Sequence, residues 1–265
     1  MTRKFGGIRM RIRSLGTEMR RHIFTRRAAP LLAALSFLAL SSLARAAQLS
    51  DAIPSSCKQL VLVIASAWDS PTAELRRFSR LSPHQPWVAV GDSTPVLIGE
   101  HGLGWAAGLG GIPDDSSPRK REGDRRSPAG VFQLTAVLYR EALDGIRMPL
   151  YPITPTTEAI DDPNSRYYNQ IVDRRAIAHP DWRSSERMAK IRDYALCIAV
   201  GLNPTRRPGA GSCVFLHVWS RPRAGTAGCT ALGYRDLLAL ARWLDPAQNP
   251  ILIQAPKEAA ASLRF

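Results

Sequence analysis

Residues 194–201 (YALCIAVG) and 212–219 (SCVFLHVW) decide the fold of this chain. Each is a short apolar run with β-branched and aromatic side chains, a composition typical of buried strands. The residues between them, 203–211, are rich in Pro and Gly, which favour a turn. The sequence therefore predicts a central β-hairpin. Alternation along its second strand places Cys213, Phe215 and His217 on one face.

The sequence on either side of the hairpin continues the strand pattern. Further strands are predicted at residues 59–66, 73–80, 87–91, 95–99, 129–134 and 251–254. Apolar positions three and four residues apart predict an amphipathic helix over residues 234–244. We also expect a short helix at 138–143, a long surface loop at 100–126 and irregular structure at 151–192. The fold class is thus expected to be mainly β (α+β).

Composition and charge exclude several protein classes. With 265 residues, 45% hydrophobic and 22% charged, the chain can bury a core and differs from disordered, collagenous and coiled-coil sequences. Its formal net charge of +14 is typical of nucleic-acid-binding proteins. However, residues 1–46 hold ten Lys or Arg and one acid, Glu18, and so carry nine of those charges. No sequence feature requires nucleic acid, a nucleotide, a metal or another cofactor.

Residues 1–46 have the pattern of a secretory signal peptide. A basic region precedes the apolar residues 28–43, and Ala44, Arg45 and Ala46 form a small-x-small cleavage pattern. The apolar run is interrupted by serines and is shorter than the roughly 20 residues of a spanning helix, so an uncleaved anchor is the weaker alternative. We expect export to the periplasm, cleavage after Ala46, a linker over residues 47–57 and a catalytic domain over residues 58–265 without a stable membrane anchor.

Four cysteines remain after this cleavage site: Cys57, Cys197, Cys213 and Cys229. Cys197 and Cys213 lie among apolar strand residues, which predicts core packing or a mutual disulfide, and Cys57 is undetermined. Cys229 differs, because it follows a Gly-rich turn and precedes the predicted helix. A thiol at a helix N-terminus is favoured as the thiolate. His217, near the end of the preceding strand, can complete its activation.

The turn before Cys229 offers further groups for acyl transfer. Thr226, Ala227 and Gly228 keep it small enough for a substrate carbonyl to approach the sulfur. The N–H groups from Gly228 to Thr230 can point at a developing oxyanion. This order of strand-borne His, Gly-rich turn and Gly-Cys is the layout of a cysteine acyl-transfer site.

Simpler interpretations of the same residues remain open. Cys229 is also compatible with a buried small side chain or a half-cystine, and His217 with a satisfied core histidine. A zinc site from His217, Cys213 and Cys229 lacks support, because no Cys-x-x-Cys or His-x-x-x-His pair accompanies these residues.

Residues 215–232 (FLHVWSRPRAGTAGCTAL) resemble the His and Gly-Cys signature of the YkuD-type L,D-transpeptidases of bacterial cell walls. Residues 120–132 (KREGDRRSPAGVF) are similar to that family's Gly-Asp and Thr/Ser-Pro-x-Gly segment. The resemblance covers most of residues 58–254. It implies a β-sandwich-like catalytic domain with a long helix after the catalytic Cys. It also implies Cys229 as nucleophile and His217 as general base, oriented by a backbone carbonyl.

The resemblance further implies an acyl-enzyme formed on a tetrapeptide stem of peptidoglycan and passed to an amine. This chain has Thr-Ala-Gly-Cys-Thr-Ala where the commoner form of the family has Ser-His-Gly-Cys, an aliphatic residue and Arg. The acceptor therefore stays open: an amine gives a cross-link or an attached protein, and water gives peptide cleavage. An inactive wall-binding module with the same fold is the alternative from another class. The oligomeric state is not predicted.

Substrate-binding residues are predicted in two further places. Arg121 and Arg125 belong to a basic run that can attract stem carboxylates, since Arg binds carboxylates bidentately. Tyr168 and Asn169 are expected to line the cleft, together with Trp219 beside the signature His. The alternatives are a solvated loop for the arginines and ordinary packing for the Tyr-Asn segment.

Overall fold

The structure is a computed structural model that describes residues 49–113, 116–219, 225–261 and 263. The predicted signal peptide, residues 1–46, lies outside the described residues. Residues 49–57, expected to be a linker, pack onto the domain: Leu49 lies in the main core and Cys57 is fully buried. Within the described ranges, no helix has the length and apolar character needed to cross a membrane.

Fourteen strands and two α-helices have both ends within the described residues. The strands are β1 (Gln59–Ala65), β2 (Thr72–Ser79), β3 (Val88–Ala89), β4 (Thr94–Leu97), β5 (Leu103–Trp105), β6 (Ser127–Tyr139), β7 (Leu150–Pro152), β8 (Thr157–Ile160), β9 (Gln170–Asp173), β10 (Glu186–Arg187), β11 (Leu196–Val200), β12 (Phe215–Val218), β13 (Thr230–Leu232) and β14 (Ile251–Pro256). The helices are α1 (Tyr234–Trp243) and α2 (Lys257–Ala260). Short 3₁₀ turns lie at Arg174–Ala176, Met188–Lys190, Arg192–Ala195 and Pro246–Gln248.

The main sheet closes on itself. Eight strands follow one another in the order β1-β14-β6-β11-β12-β13-β4-β2, and β2 pairs back onto β1. Strand β1 is thus paired on both sides, with Leu62 opposite Ile253 in parallel β14 and opposite Arg76 in antiparallel β2. The expected β-sandwich-like architecture is therefore wrong, because one barrel-like sheet surrounds the core. A separate three-stranded sheet, β10-β8-β9, lies beside it.

Two cores occupy opposite faces of the central hairpin. The main core contains Leu216 of β12 and Val214, which immediately precedes that strand, and it is covered by Leu237 and Leu240 of α1. The opposite face of β12 contributes to a second cluster, called here the minor core. Its members are Leu138, Ile153, Ala159, Met188, Tyr194, Cys197 and Phe215. The predicted alternation of β12 is confirmed, and it directs His217 to the side of the minor core.

Several sequence predictions are confirmed by the strand pairing. Strands β11 and β12 form the predicted antiparallel hairpin, with Cys197 opposite His217. The predicted helix is α1. The helix predicted at 138–143 is wrong, because Leu138 continues β6 and pairs with Cys197. The loop predicted at 100–126 contains β5, which the local composition does not indicate because its partner is the first part of β6.

Candidate active site

Cys229 immediately precedes a strand rather than a helix. Strand β13 begins at Thr230 and runs parallel to β12, with Leu216 opposite Thr230. Helix α1 begins only at Tyr234. The predicted helix therefore follows Cys229 only after β13, and the expected activation of the thiol by a helix dipole is wrong. That field decays within the first helical turn, and a strand separates the thiol from it.

His217 lies on β12, and Cys229 lies one residue before β13, the parallel strand that pairs with β12. The Phe215 N–H, one residue before Leu216, donates a hydrogen bond to the Cys229 sulfur at 3.3 Å, so Cys229 extends the ladder opposite Phe215. His217 is two residues further along β12. If Cys229 continued the register of β13, ideal strand geometry, with a spacing near 4.8 Å and a rise near 3.3 Å per residue, would place its Cα atom about 8 Å from that of His217. Two side chains that point to one face can bridge such a separation.

The imidazole of His217 is held by a backbone carbonyl. Its Nδ1 lies 2.8 Å from the carbonyl oxygen of Val218. Because a carbonyl only accepts, Nδ1 carries the proton and Nε2 has a free lone pair. Burial lowers the pKa of His217 below its ordinary 6.5, against opposing effects of the Val218 bond and the Asp193 charge. The ring is therefore neutral at neutral pH and able to accept a proton at Nε2.

The Cys229 thiol is also neutral in the resting site. Burial raises its pKa from 9.0 to about 12, and the negative charge of Glu186 acts in the same direction. The hydrogen bond from the Phe215 N–H, the nearby Tyr194 hydroxyl and the charge of Lys120 lower the pKa by less. The sequence-based expectation of a preformed thiolate is not met, because the sulfur is buried among apolar groups and lacks a helix terminus.

The backbone of Cys229 is fixed by two hydroxyl groups. The Thr226 hydroxyl donates to the Cys229 carbonyl at 2.5 Å and accepts from the Gly228 N–H at 3.1 Å. The Ser127 hydroxyl donates to the same carbonyl at 2.9 Å and accepts from the Gly99 N–H at 2.8 Å. The Ser-Pro-x-Gly segment is thus hydrogen-bonded to the Thr-Ala-Gly-Cys turn, although the two are distant in sequence.

Of the residues predicted to form an oxyanion site, Gly228 and Thr230 already have hydrogen-bond partners within the protein, and Ala227 is exposed. The N–H of Gly228 already donates to Thr226, so it is not free for an oxyanion. Gly228 has φ +145°, and a Cβ there would lie 3.1 Å from the Arg126 carbonyl oxygen, which explains the need for glycine. The Thr230 hydroxyl points into the protein and donates to Gln254 at 2.7 Å. Ala227 is exposed at the mouth of the turn.

A cavity of about 260 Å³ lies beside this turn. Four of the predicted residues contribute to its wall: His217, Trp219, Thr226 and Ala227. Three residues that the sequence did not single out also line it: Glu186, Asp193 and Tyr194. Cys229 is half-buried and packs against the minor core.

Tyr194 and Glu186 form a pair within this wall. The Tyr194 hydroxyl donates to Glu186 Oε2 at 2.7 Å. The Tyr194 ring packs edge-on against Phe215 and His217, with ring centroids 5.4 and 5.3 Å apart. Burial raises the pKa of Glu186, opposed by the Tyr194 bond, and it also raises the pKa of Tyr194. The local sequence predicts no functional role for either residue, because Tyr194 belongs to a predicted strand and Glu186 lies in a stretch without hydrophobic periodicity.

Lys120 is a second residue that sequence analysis did not single out. Its side chain is only 4% exposed, although it belongs to the basic run expected at the surface. The ammonium group donates to Asp124 Oδ1 at 2.5 Å and to the Arg121 carbonyl at 2.7 Å. The positive charge favours the thiolate form of Cys229.

The other predicted substrate-binding residues do not line the cavity. Arg121 is exposed, and the half-exposed Arg125 forms an ion pair with Glu100. Tyr168 is buried, and its hydroxyl donates to Glu122 at 2.5 Å. The Asn169 amide donates to two backbone carbonyls and accepts from the Cys213 N–H at 2.9 Å. The structure therefore gives Tyr168 and Asn169 roles in the scaffold, where their hydrogen bonds connect distant loops.

The cysteines and carboxylates of the described residues do not form a metal centre. In these ranges, no three His, Cys, Asp or Glu side chains are grouped so that they could hold a metal ion. All four cysteines have free thiols. The prediction that Cys197 packs in the core is confirmed, and the alternative of its disulfide with Cys213 is not, since both thiols are free.

Comparison with protein families gives one match to this chain. Residues 83–253 match the YkuD model, described as the L,D-transpeptidase catalytic domain. The chain belongs to this family. The match includes His217, the turn and Cys229, whereas β1 and β2 of the barrel lie before it. The YkuD domain identifies an L,D-transpeptidase-like acyltransferase family that acts on peptidoglycan. Searches of curated proteins and of solved structures found no match.

Proposed function

We propose that this chain is an exported peptidoglycan L,D-transpeptidase with Cys229 as nucleophile and His217 as general base. One observation carries the proposal. In a YkuD domain, a half-buried thiol directly precedes the strand that pairs with the strand of a neutral imidazole, and this imidazole lines a cavity together with the turn before the thiol. A nucleophile next to an oriented base is the arrangement that acyl transfer requires.

Acylation starts from the neutral pair. His217 Nε2 accepts the S–H proton while the sulfur attacks the carbonyl carbon of the third stem residue. The S–C bond forms, the C–N bond to the terminal D-amino acid breaks, and His217 gives the proton to the leaving nitrogen. The products are a thioester on Cys229 and a free D-amino acid. Because the Gly228 N–H is occupied, the N–H groups of Ala227 and Cys229 are the proposed oxyanion donors of this turn.

Deacylation reverses these roles. The acceptor amine attacks the thioester carbonyl, His217 takes a proton from its nitrogen, and the sulfur leaves as the thiol. An amide bond forms and the thioester bond breaks, which completes a cross-link. Trp219 offers an aromatic wall on which the acceptor stem can pack.

The test is incubation of the purified protein with disaccharide-tetrapeptide muropeptides, followed by mass spectrometry. Cross-linked dimers and a released D-amino acid support transfer. Shortened peptides without dimers indicate hydrolysis at the same site, and no change indicates a wall-binding module; either result contradicts the proposal. Cys229→Ala and His217→Gln should abolish product. His84→Gln, a change of an exposed histidine outside the cavity, is the matched control.

We further propose that the protein acts in the periplasm after removal of residues 1–46. The basic and apolar segments and the Ala-Arg-Ala pattern support this. Fractionation of expressing cells with N-terminal sequencing tests it, and an uncleaved protein in the membrane fraction would contradict it.

A further inference from the structure

We propose that Glu186 is a substrate-binding residue whose carboxylate binds the ammonium group of a stem peptide in the cavity of about 260 Å³ beside the Thr-Ala-Gly-Cys turn. That stem peptides enter this cavity rests on the proposed function. The preference for an ammonium group over a neutral group rests on the charges and hydrogen bonds of the cavity wall. It is measured as binding, without any turnover.

The wall of this cavity is acidic. Glu186 and Asp193 line it, and none of the lining residues that the structure describes is Lys or Arg. His217 lines it as well and is neutral at neutral pH, because burial lowers its pKa. The residues expected to bind stem carboxylates, Arg121 and Arg125, lie outside the wall. The charge of the wall therefore favours a cationic group and disfavours a carboxylate.

The Glu186 carboxylate is oriented, with one oxygen available to a ligand. Its Oε2 accepts from the Tyr194 hydroxyl at 2.7 Å, and the Tyr194 ring is fixed by its contacts with Phe215 and His217. Within the described part of the chain, this hydroxyl is the only hydrogen-bond donor to Glu186, and no Lys or Arg pairs with it. The other oxygen, Oε1, is not enclosed by protein atoms. It can therefore accept from a group in the cavity.

An ammonium ion supplies what this carboxylate lacks. A partly buried carboxylate without a counter-charge is unfavourable, and burial accordingly raises the pKa of Glu186. The charges of Asp161 and Glu122 act in the same direction. A bound ammonium would neutralise the carboxylate and donate to Oε1 in a charge-assisted hydrogen bond, which is stronger than a neutral one. The aromatic ring of Trp219 in the same wall attracts a nearby cation as well.

The test is isothermal titration calorimetry of the Cys229→Ala variant, which cannot form a thioester. The ligands are tetrapeptides that end in a D-amino acid and differ only in the third side chain, which is lysine, N-acetyllysine or norleucine. The lysine peptide should bind about tenfold more tightly than either neutral peptide. Addition of Glu186→Gln should abolish this preference, because the amide keeps the Tyr194 hydrogen bond but has no charge. Equal affinities, a preference that survives Glu186→Gln, or no measurable binding of the lysine peptide would overturn the inference.

Glu158→Gln in the same background is the matched control. Glu158 is also a buried carboxylate with hydrogen-bond donors, Trp182 and Ser185, and it does not border the cavity. The preference for the lysine peptide should therefore persist in this variant. Thermal unfolding verifies that each variant is folded. If Glu186→Gln does not fold, Glu186→Asp takes its place, since it withdraws the charge by one methylene and should weaken the preference.

The ammonium group can belong to the donor stem or to the attacking amine, and kinetics with Cys229 intact distinguish the two sources. A slower formation of the acyl-enzyme in Glu186→Gln assigns the group to the donor. An unchanged acylation rate with a lower ratio of amine transfer to hydrolysis assigns it to the acceptor. If no acyl-enzyme forms at all, the proposed function fails, and the binding comparison still decides the role of Glu186.

Discussion

Replacement of Ser127 by Ala tests whether the Ser-Pro-x-Gly segment supports the cysteine turn. Ser127 is fully buried, and its hydroxyl connects the N–H of Gly99 with the carbonyl of Cys229. It accepts from the Gly99 N–H at 2.8 Å and donates to the Cys229 carbonyl at 2.9 Å. Alanine fits the same space and removes only the oxygen. Both backbone groups then lose a partner, but not to the same extent.

The magnitude follows from what remains after the oxygen is removed. The buried Gly99 N–H loses the Ser127 oxygen, whereas the Cys229 carbonyl keeps the Thr226 hydroxyl at 2.5 Å. An unsatisfied buried donor costs about 1–3 kcal/mol and a hydrogen bond lost from a still-bonded carbonyl about 1 kcal/mol, so the free energy of unfolding should fall by about 3 kcal/mol. For a domain of this size that is a decrease in Tm of roughly 6–12 °C.

Chemical and thermal unfolding measure this loss, with Ser70→Ala as the control. Ser70 bonds the backbone of Thr72 at an exposed site, and its loss should cost less than about 0.5 kcal/mol. The double variant Ser127→Ala/Thr226→Val removes both hydroxyl donors of the Cys229 carbonyl. It should therefore cost more than the sum of the single variants, by at least about 0.5 kcal/mol. A Ser127→Ala effect no larger than that of Ser70→Ala, or strict additivity in the double variant, would refute the reasoning.

Three further predictions concern the site. Burial lowers the pKa of His217 below 6.5, so the imidazole stays neutral to a pH below 6.5. The fall of kcat/KM for stem cleavage toward acid pH should therefore have its midpoint below pH 6.5, and a midpoint above pH 7 would contradict this assignment. Lys120→Met leaves the partly buried Asp124 without its cation, so urea unfolding should show a loss of about 3 kcal/mol in the free energy of unfolding, and alkylation of Cys229 by iodoacetamide should slow. Gly228→Ala forces a Cβ toward the Arg126 carbonyl at φ +145°, so stem cleavage should fall at least about tenfold while a Gly123→Ala variant, in open space, retains it.

The strands of the central hairpin could be predicted because each is an apolar run bounded by turn residues. The closure of the barrel could not, because it depends on β1 pairing with two strands from opposite ends of the domain. The error at 138–143 has the same origin. Leu138 lies in a stretch that is compatible with a helix, and only its pairing with Cys197 of β11 extends β6 to that point.

The candidate site could be predicted only where its residues are close in sequence. Cys229 and the preceding turn form a local pattern, and His217 lies on an adjacent strand. Tyr194 and Glu186 reach the cavity wall beside His217 through the packing around the minor core, which no spacing in the sequence reveals. Lys120 illustrates the opposite error, since a residue in a charged run is expected in solvent and this one is buried beside Asp124.

The protonation state of the resting pair determines which mechanism this geometry supports. With a thiol pKa of about 12, only about one molecule in 10⁵ carries the thiolate at pH 7. In the proposed mechanism the thiol therefore needs a base to take its proton. The Val218 carbonyl accepts from Nδ1 of His217, which leaves Nε2 as the nitrogen that can accept a proton. If Cys229 is the nucleophile, as proposed, the burial that keeps its thiol neutral makes the reaction depend on proton transfer to His217.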